Sequence, residues 1–123
     1  MANRESNSSA LYTYIVANSL FTPRQLSIMS NQLEGGGKPE RISSGAYYRQ
    51  VKQCRKKVIS VIYSMMLLQS IGIVQPEALT TLNKLVERLA VIFASESSDG
   101  MSRLNVDDVI SVINEVIKRV SKL

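Results

Sequence analysis

The sequence predicts an all-α fold. Four or five segments place apolar residues at helical steps of three and four, and signals for the start or end of a helix separate these segments. No stretch shows a convincing alternation with a period of two, which is the pattern of a half-buried strand. The chain has 123 residues, and 45% of them are hydrophobic. It is therefore long enough and apolar enough to form one domain without disulfides or metal.

The first two helices follow from periodicity and from capping residues. Apolar spacing places the first helix at about residues 9–20, after a polar tail of residues 1–8 that we expect to be flexible. Thr22, Pro23 and Gln25 start the second helix, because they provide a cap, a favourable first residue and a capping box. Gly35 ends it by tolerating a left-handed backbone. The face expected to point inward contains Leu26, Met29, Ser30 and Leu33.

The third helix is expected to be long. Ser43 or Ser44 caps its start, and Gly72 stops it after about residue 70. An apolar seam runs along it for more than three heptads through Tyr47, Val51, Cys54, Val58, Val61, Met65 and Leu68. Beyond Val58 the helix is apolar nearly all round, so it must be covered on several sides.

Two further helices complete the chain. The fourth begins near Pro76, and a polar loop at residues 94–102 separates it from the last helix. The last helix opens at Asn105, with Asp107 and Asp108 near the positive end of its dipole. Its apolar stripe is broader than one neighbouring helix requires. Together with the third helix, this stripe predicts a homodimer whose core lies in residues 58–123, the alternative being a monomeric five-helix bundle.

The residues needed for catalysis or metal binding are scarce. The chain contains no histidine, the commonest general base and metal ligand, and its one cysteine, Cys54, lies on the apolar seam. The glycine-rich segment EGGGKPE, residues 34–40, lacks the Lys-Ser/Thr end of a phosphate-binding loop. We therefore expect neither an enzyme, nor a cofactor, nor a metal site. An unpaired cysteine and no run long enough to span a membrane favour a cytoplasmic protein without a membrane partner.

The positive charge of the chain is concentrated in one segment. The net charge is +5, yet residues 38–57 contain seven cations and only Glu40 as an acid, which gives +6 locally and leaves −1 for all other residues. A basic segment of this kind is typical of a docking surface for a polyanion. It predicts a nucleic-acid partner, and duplex DNA is favoured.

The candidate contact residues occupy the linker and the exposed side of the third helix. Small residues at the start of that helix leave backbone N–H groups open to phosphates. With the apolar seam pointing inward, the opposite side carries the basic residues at steps of three and four. The predicted DNA-binding residues are Lys38, Arg41, Ser43, Ser44, Tyr48, Arg49, Lys52, Arg55 and Lys56. The simpler interpretation is a solvated helix face that binds nothing.

Two segments share short motifs with a known family. FTPRQLSIM, residues 21–29, carries a TPRQ-like capped helix, and RISSGAYYRQVKQCRKKV, residues 41–58, carries an IS-x-G-x-Y-x-R start. These motifs resemble a helix-turn-helix domain of the sigma-factor region 4 type, in which the second segment begins the recognition helix. The resemblance implies that residues 43–56 face a DNA groove. In that family a further short helix separates the two segments, whereas only residues 35–41 are available here.

These observations divide the single expected domain into a helix-turn-helix-like DNA-binding part, residues 9–57, and a helical core and dimerisation part, residues 58–123. They predict a small dimeric transcriptional regulator that docks the basic helix, residues 43–57, on duplex DNA. One alternative is a helical assembly subunit that binds RNA or a ribonucleoprotein through the same residues. Another is a protein-binding helical adaptor with an acidic partner.

Overall fold

The structure, a computed structural model, describes the backbone of residues 2–94 and 105–123 and the side chains within these ranges from Ala10 onward. Helices form nearly all of it, and the described residues contain no strand, so the predicted all-α class is confirmed. In chain order the helices are α1 (Ala2–Ala17), α2 (Pro23–Leu33), α3 (Ser44–Ser70), α4 (Pro76–Ala94) and α5 (Val106–Val120). No helix within the described ranges is long and apolar enough to cross a membrane.

The chain divides into two compact units. The central unit is Val16–Met66, and the terminal unit combines Met1–Ile15 with Leu67–Leu123. The central unit contains eight Lys and Arg residues against Glu34 and Glu40, which gives it a net charge of +6. The basic character of the protein therefore belongs to this one unit.

The terminal unit is built around α4 and α5, which pack against each other. Leu11 and Ile113 are buried, and the rings of Tyr12 and Phe93 meet edge to face with centroids 5.6 Å apart. Asn105 caps α5 by accepting from the backbone N–H groups of residues 107 and 108, as predicted. The predicted loop at residues 94–102 lies, beyond Ala94, outside the described residues.

The start of α2 confirms the predicted capping box. Thr22 Oγ1 accepts from the Gln25 N–H at 3.1 Å, and Gln25 Oε1 accepts from the Thr22 N–H at 3.0 Å. Pro23 is the first helical residue. After the helix, Gly35 takes the left-handed conformation that was expected of it, with φ of 74°.

The inward face of α2 differs from the predicted one. Ile28 is the buried side chain of this helix, and it packs with Tyr47, Val51 and Cys54 of α3. Leu33, which was expected to point inward, is 89% exposed. The prediction was right for Met29, which packs against this cluster, and for the half-buried Leu26, but wrong for Ser30 and Leu33, which are exposed. The rotation of α2 is set by its contacts with α3 and cannot be read from the spacing of leucines and methionines alone.

The predicted limits and inward seam of α3 are confirmed. Ser43 is the cap, because its Oγ accepts from the Ala46 N–H at 3.2 Å. The helix ends at Ser70, and Gly72 follows with φ of 85°. The seam residues are buried at Tyr47, Val51 and Cys54 and half-buried at Val58, Val61, Met65 and Leu68.

α1 begins at Ala2, seven residues before the start expected at about Ser9. The expected flexibility of residues 1–8 stays a prediction, as does the functional division of the chain at residue 58.

Candidate nucleic-acid interface

The first turns of α3 are fixed to α2 by the side chain of Tyr47. This tyrosine is completely buried. Its hydroxyl donates to Gln32 Oε1 at 3.1 Å and accepts from Asn31 Nδ2 at 2.9 Å. Because both partners lie in the last turn of α2, one side chain holds the end of α2 against the start of α3.

The same asparagine holds the linker between the two helices. Asn31 Nδ2 also donates to the backbone carbonyl of Gly37. The backbone carbonyl of Asn31 accepts from the Gly36 N–H at 3.0 Å. A Cβ atom on Gly36 would lie 2.3 Å from Asn31 Oδ1, so only glycine fits here without a rearrangement. The glycine-rich segment is thus explained by a tight turn that Asn31 holds after the end of α2. Lys38 and Arg41 follow this turn in the linker that leads to the start of α3.

The exposed side of α3 carries the predicted basic residues. Arg49, Lys52 and Lys56 are exposed and follow steps of three and four, so they share one side of the helix over about 10 Å. We call these three residues the basic face. None of the 27 residues of α3 is acidic. Among the described residues no ion pair involves the basic face, so this part of the chain does not neutralise its charge.

Tyr48 lies beside the basic face. Its ring is 54% exposed and rests edge to face on Tyr47, with centroids 5.1 Å apart. The phenol is therefore held in place at one side while its hydroxyl remains open to solvent. This arrangement allows Tyr48 to donate to a phosphate or to pack against a sugar.

Lys57 belongs to the fold of the central unit and not to the basic face. Its ammonium donates to Gln25 Oε1 at 3.1 Å and lies 5.5 Å from the centroid of the Phe21 ring. Both partners stand at the start of α2, so Lys57 joins α3 to that helix end. The sequence-based set of contact residues did not include Lys57.

The remaining predicted contact residues are exposed but differ in position. Lys38 and Arg41 lie in the linker, where the Lys38 ammonium donates to the carbonyl of Pro39 at 3.3 Å. Ser43 uses its hydroxyl as the helix cap, while Ser44 is the first residue of α3. Arg55 lies one turn after Lys52, beside the basic face, and lines a groove between α2 and α3.

The N-terminal end of α3 is open to an anion. The Ala46 N–H is bonded to the Ser43 hydroxyl, and the Tyr47 N–H is bonded to the Ser43 carbonyl. In the described part of the chain, the N–H groups of Ser44 and Gly45 have no acceptor. Such groups lie at the positive end of the helix dipole and suit a phosphate oxygen.

The groove between α2 and α3 was not foreseen from the sequence. It is lined by α2 residues that include Gln32 and Leu33, neither of which was assigned to a surface. The only signal was that Ile28 and Leu33 are both apolar yet lie on different sides of α2. One of the two therefore had to remain outside the core.

Metal chemistry and family relationships add no further site. Within residues 2–94 and 105–123 no group of three or more Cys, Asp or Glu side chains is placed to hold a metal ion.

Residues 34–43, between α2 and α3, contain no helix, so the additional short helix of sigma-factor region 4 has no counterpart here. The resemblance to that family stays a prediction. No protein-family model, curated protein or solved structure matches this chain.

Proposed function

We propose that the central unit binds duplex DNA through the basic face of α3, and that the protein acts as a small dimeric transcriptional regulator. The observation that carries this proposal is a helix of 27 residues that contains five cations and no acid. Three of these cations share one exposed side without a charged partner in the described chain. A soluble helix usually mixes the two signs of charge, because pairs at i and i+4 stabilise it and like charges destabilise it.

The arrangement suits the phosphate backbone of a duplex. Arg49, Lys52 and Lys56 would contact phosphates along one strand, and an arginine at this position is also able to reach a guanine edge. Lys38 and Arg41 would bind the flanking backbone or enter a minor groove. The free N–H groups at the start of α3 would donate hydrogen bonds to one further phosphate.

A second copy of the chain is the partner that we propose for the apolar side of α3. Within the central unit, Ile59, Ile62, Tyr63 and Met66 are each between 44% and 65% exposed, and we call them the apolar stripe. An aromatic side chain such as Tyr63 presents about 150–250 Å² when open, and the two isoleucines and the methionine extend this exposed surface along the helix. A stable dimer buries about 800 Å² per partner around an apolar core, and the stripe would form part of such a core.

The spacing of the apolar stripe favours helix-to-helix contact. Its members follow steps of three and four, which place them on one side of α3 and suit pairing with the same side of another copy. A twofold dimer would present two basic faces, and two such helices match DNA half-sites about one helical turn apart. Control of transcription by occupying such a site is the usual use of small dimeric DNA-binding proteins.

DNA binding is tested by fluorescence anisotropy with a labelled duplex, single-stranded DNA and an RNA hairpin of equal length, over about 50–200 mM salt. We expect the duplex to bind most tightly. Its log affinity should fall with log salt at a slope of about −4 to −5 per protomer, because each contact cation releases about 0.9 counterion. The five contact cations of the proposal are Lys38, Arg41, Arg49, Lys52 and Lys56. Equal or tighter binding of the RNA hairpin would contradict the proposal and favour an RNA- or ribonucleoprotein-binding subunit. No binding to any nucleic acid would favour an acidic protein partner.

The dimer is tested by light scattering on the wild-type protein and on Ile62→Asp. We expect twice the mass of one chain for the wild type and a monomer for the variant, because a charge in an apolar contact is costly to bury. Ser64→Asp adds the same charge at an exposed position of the same helix and should remain dimeric. A monomeric wild-type protein, or two variants that dissociate equally, would contradict the proposed contact.

A further inference from the structure

An apolar groove of about 420 Å³ lies between α2 and α3 in the central unit. Its floor consists of core side chains, since Ile28, Val51 and Cys54 are all at least 92% buried. The exposed side chains of Leu33 and Ile59 stand at its edge. The volume falls within the range of about 300–1,000 Å³ that is usual for small-molecule sites. Because the floor is part of the core, the groove does not need a partner in order to form.

The polar groups of the groove are few. Gln32 of α2 and Arg55 of α3 are the two polar side chains that line it. Arg55 is its sole charged residue, no acid lines it, and in the described chain Arg55 forms no ion pair. The groove therefore combines an apolar trough with one positive charge that lacks a partner. An occupant complementary to this arrangement is apolar along its length and carries one negative charge.

We propose that the groove binds an aliphatic carboxylate, with its acyl chain over the core side chains of the floor and its carboxylate on Arg55. An arginine guanidinium pairs with a carboxylate through two parallel hydrogen bonds, which gives such a site both strength and direction. Gln32 lines the same groove, and because its Oε1 accepts from Tyr47, its amide nitrogen is the group that would donate to the ligand. Small hydrophilic anions would bind more weakly, because they bury no apolar surface on the floor of the groove.

Occupancy of the groove would oppose DNA binding, a consequence that rests on the proposed function. Arg55 belongs to the predicted DNA-binding residues, and a carboxylate paired with it cancels one positive charge beside the basic face. The two ligands would then weaken each other by the same factor, as linkage requires. The groove thus provides a site at which an aliphatic acid would release the protein from DNA.

The ligand is tested first without DNA, by isothermal titration calorimetry of the full chain with decanoate. We expect one decanoate per chain and much weaker binding of decanol, which has the same chain length without the charge. Arg55→Gln should weaken decanoate binding about tenfold or more, since a charge-assisted pair is lost. Arg49→Gln removes the same charge from the same helix outside the groove and should change the affinity by less than about twofold. Circular dichroism checks that both variants remain folded.

Cys54 reports where decanoate binds. It is the single cysteine of the chain and lies in the floor of the groove, 2% exposed. Bound decanoate should slow its reaction with a thiol reagent in the wild-type protein and in Arg49→Gln, but hardly in Arg55→Gln. Equal binding of decanol and decanoate, equal loss in both variants, or an unprotected Cys54 would each overturn the assignment. Conversion of a dimer to monomers by decanoate would also overturn it, by showing that the groove belongs to the contact between copies.

The DNA arm is read separately. Saturating decanoate should lower the duplex affinity of the wild-type protein and leave that of Arg55→Gln unchanged. If the protein binds no DNA, calorimetry and thiol protection still decide the groove. If DNA binds and decanoate does not, the groove assignment fails while the proposed function stands.

Discussion

Replacement of Arg49, Lys52 and Lys56 by alanine should lower the affinity for duplex DNA by about 10²–10³ at 0.1 M salt. Each lysine or arginine bound to a phosphate releases about 0.9 counterion, which at this salt concentration amounts to roughly tenfold in affinity. The slope of log affinity against log salt should accordingly fall by about 2.7. Anisotropy titrations over a range of salt concentrations give both quantities from one data set.

The same variant should fold as well as the wild-type protein. All three side chains are exposed, and no ion pair in the described chain depends on them. Their removal also relieves repulsion between like charges along α3, and each such pair costs a few tenths of a kcal/mol. Urea denaturation is therefore expected to give an unfolding free energy equal to or slightly above that of the wild type.

A matched variant separates the basic face from net charge. Lys84, Arg88 and Lys118 are exposed cations of α4 and α5, in the terminal unit, and their replacement by alanine removes the same three charges. We expect this variant to retain the wild-type salt slope and most of the affinity. If both triple variants lose affinity and slope equally, DNA responds to the overall charge of the protein and the basic face is not the site.

The starts of α2 and α5 and the end of α3 were predictable because the interactions that set them are local. Thr22 and Gln25 exchange two hydrogen bonds within three residues, and Asn105 accepts from N–H groups two and three residues ahead. The stop at Gly72 likewise depends on the backbone conformation of one residue. Such features need no knowledge of the tertiary structure, and the seam of α3 is similar since its period is fixed by the helix itself.

The rotation of α2 was not predictable, because it depends on contacts between residues far apart in the sequence. Tyr47 is buried in one cluster with Ile28, and its hydroxyl is bonded to Asn31 and Gln32. Leu33 is left exposed to solvent. No spacing within α2 reveals that the amides of Asn31 and Gln32 bind Tyr47 of α3 while Leu33 stays exposed. The groove was missed for the same reason, because it is formed by side chains of both α2 and α3 and depends on which residues of α2 face α3.

Replacement of Tyr47 by alanine should lower the unfolding free energy by about 3–5 kcal/mol. The side chain is completely buried in the cluster formed with Ile28, Val51 and Cys54, and removal of a buried aromatic ring leaves a cavity as well as lost contacts. Tyr48→Ala is the matched control at the next position. Its ring is 54% exposed, so we expect a cost of about 1 kcal/mol, mainly from the lost edge-to-face contact with Tyr47. Urea denaturation measures both.

Tyr47→Phe divides the role of this residue between its ring and its hydroxyl. The variant keeps the ring and loses the hydrogen bonds to Asn31 and Gln32, at a cost of about 1 kcal/mol, because both amides lie near enough to the surface to turn toward water. The hydroxyl should affect DNA binding as well as stability, since its bond to Asn31 helps to align the linker with the start of α3. Duplex affinity should therefore fall severalfold in Tyr47→Phe while the salt slope stays unchanged, because every cation is retained. A loss of stability as large as in Tyr47→Ala would instead place the main contribution of Tyr47 in its hydrogen bonds.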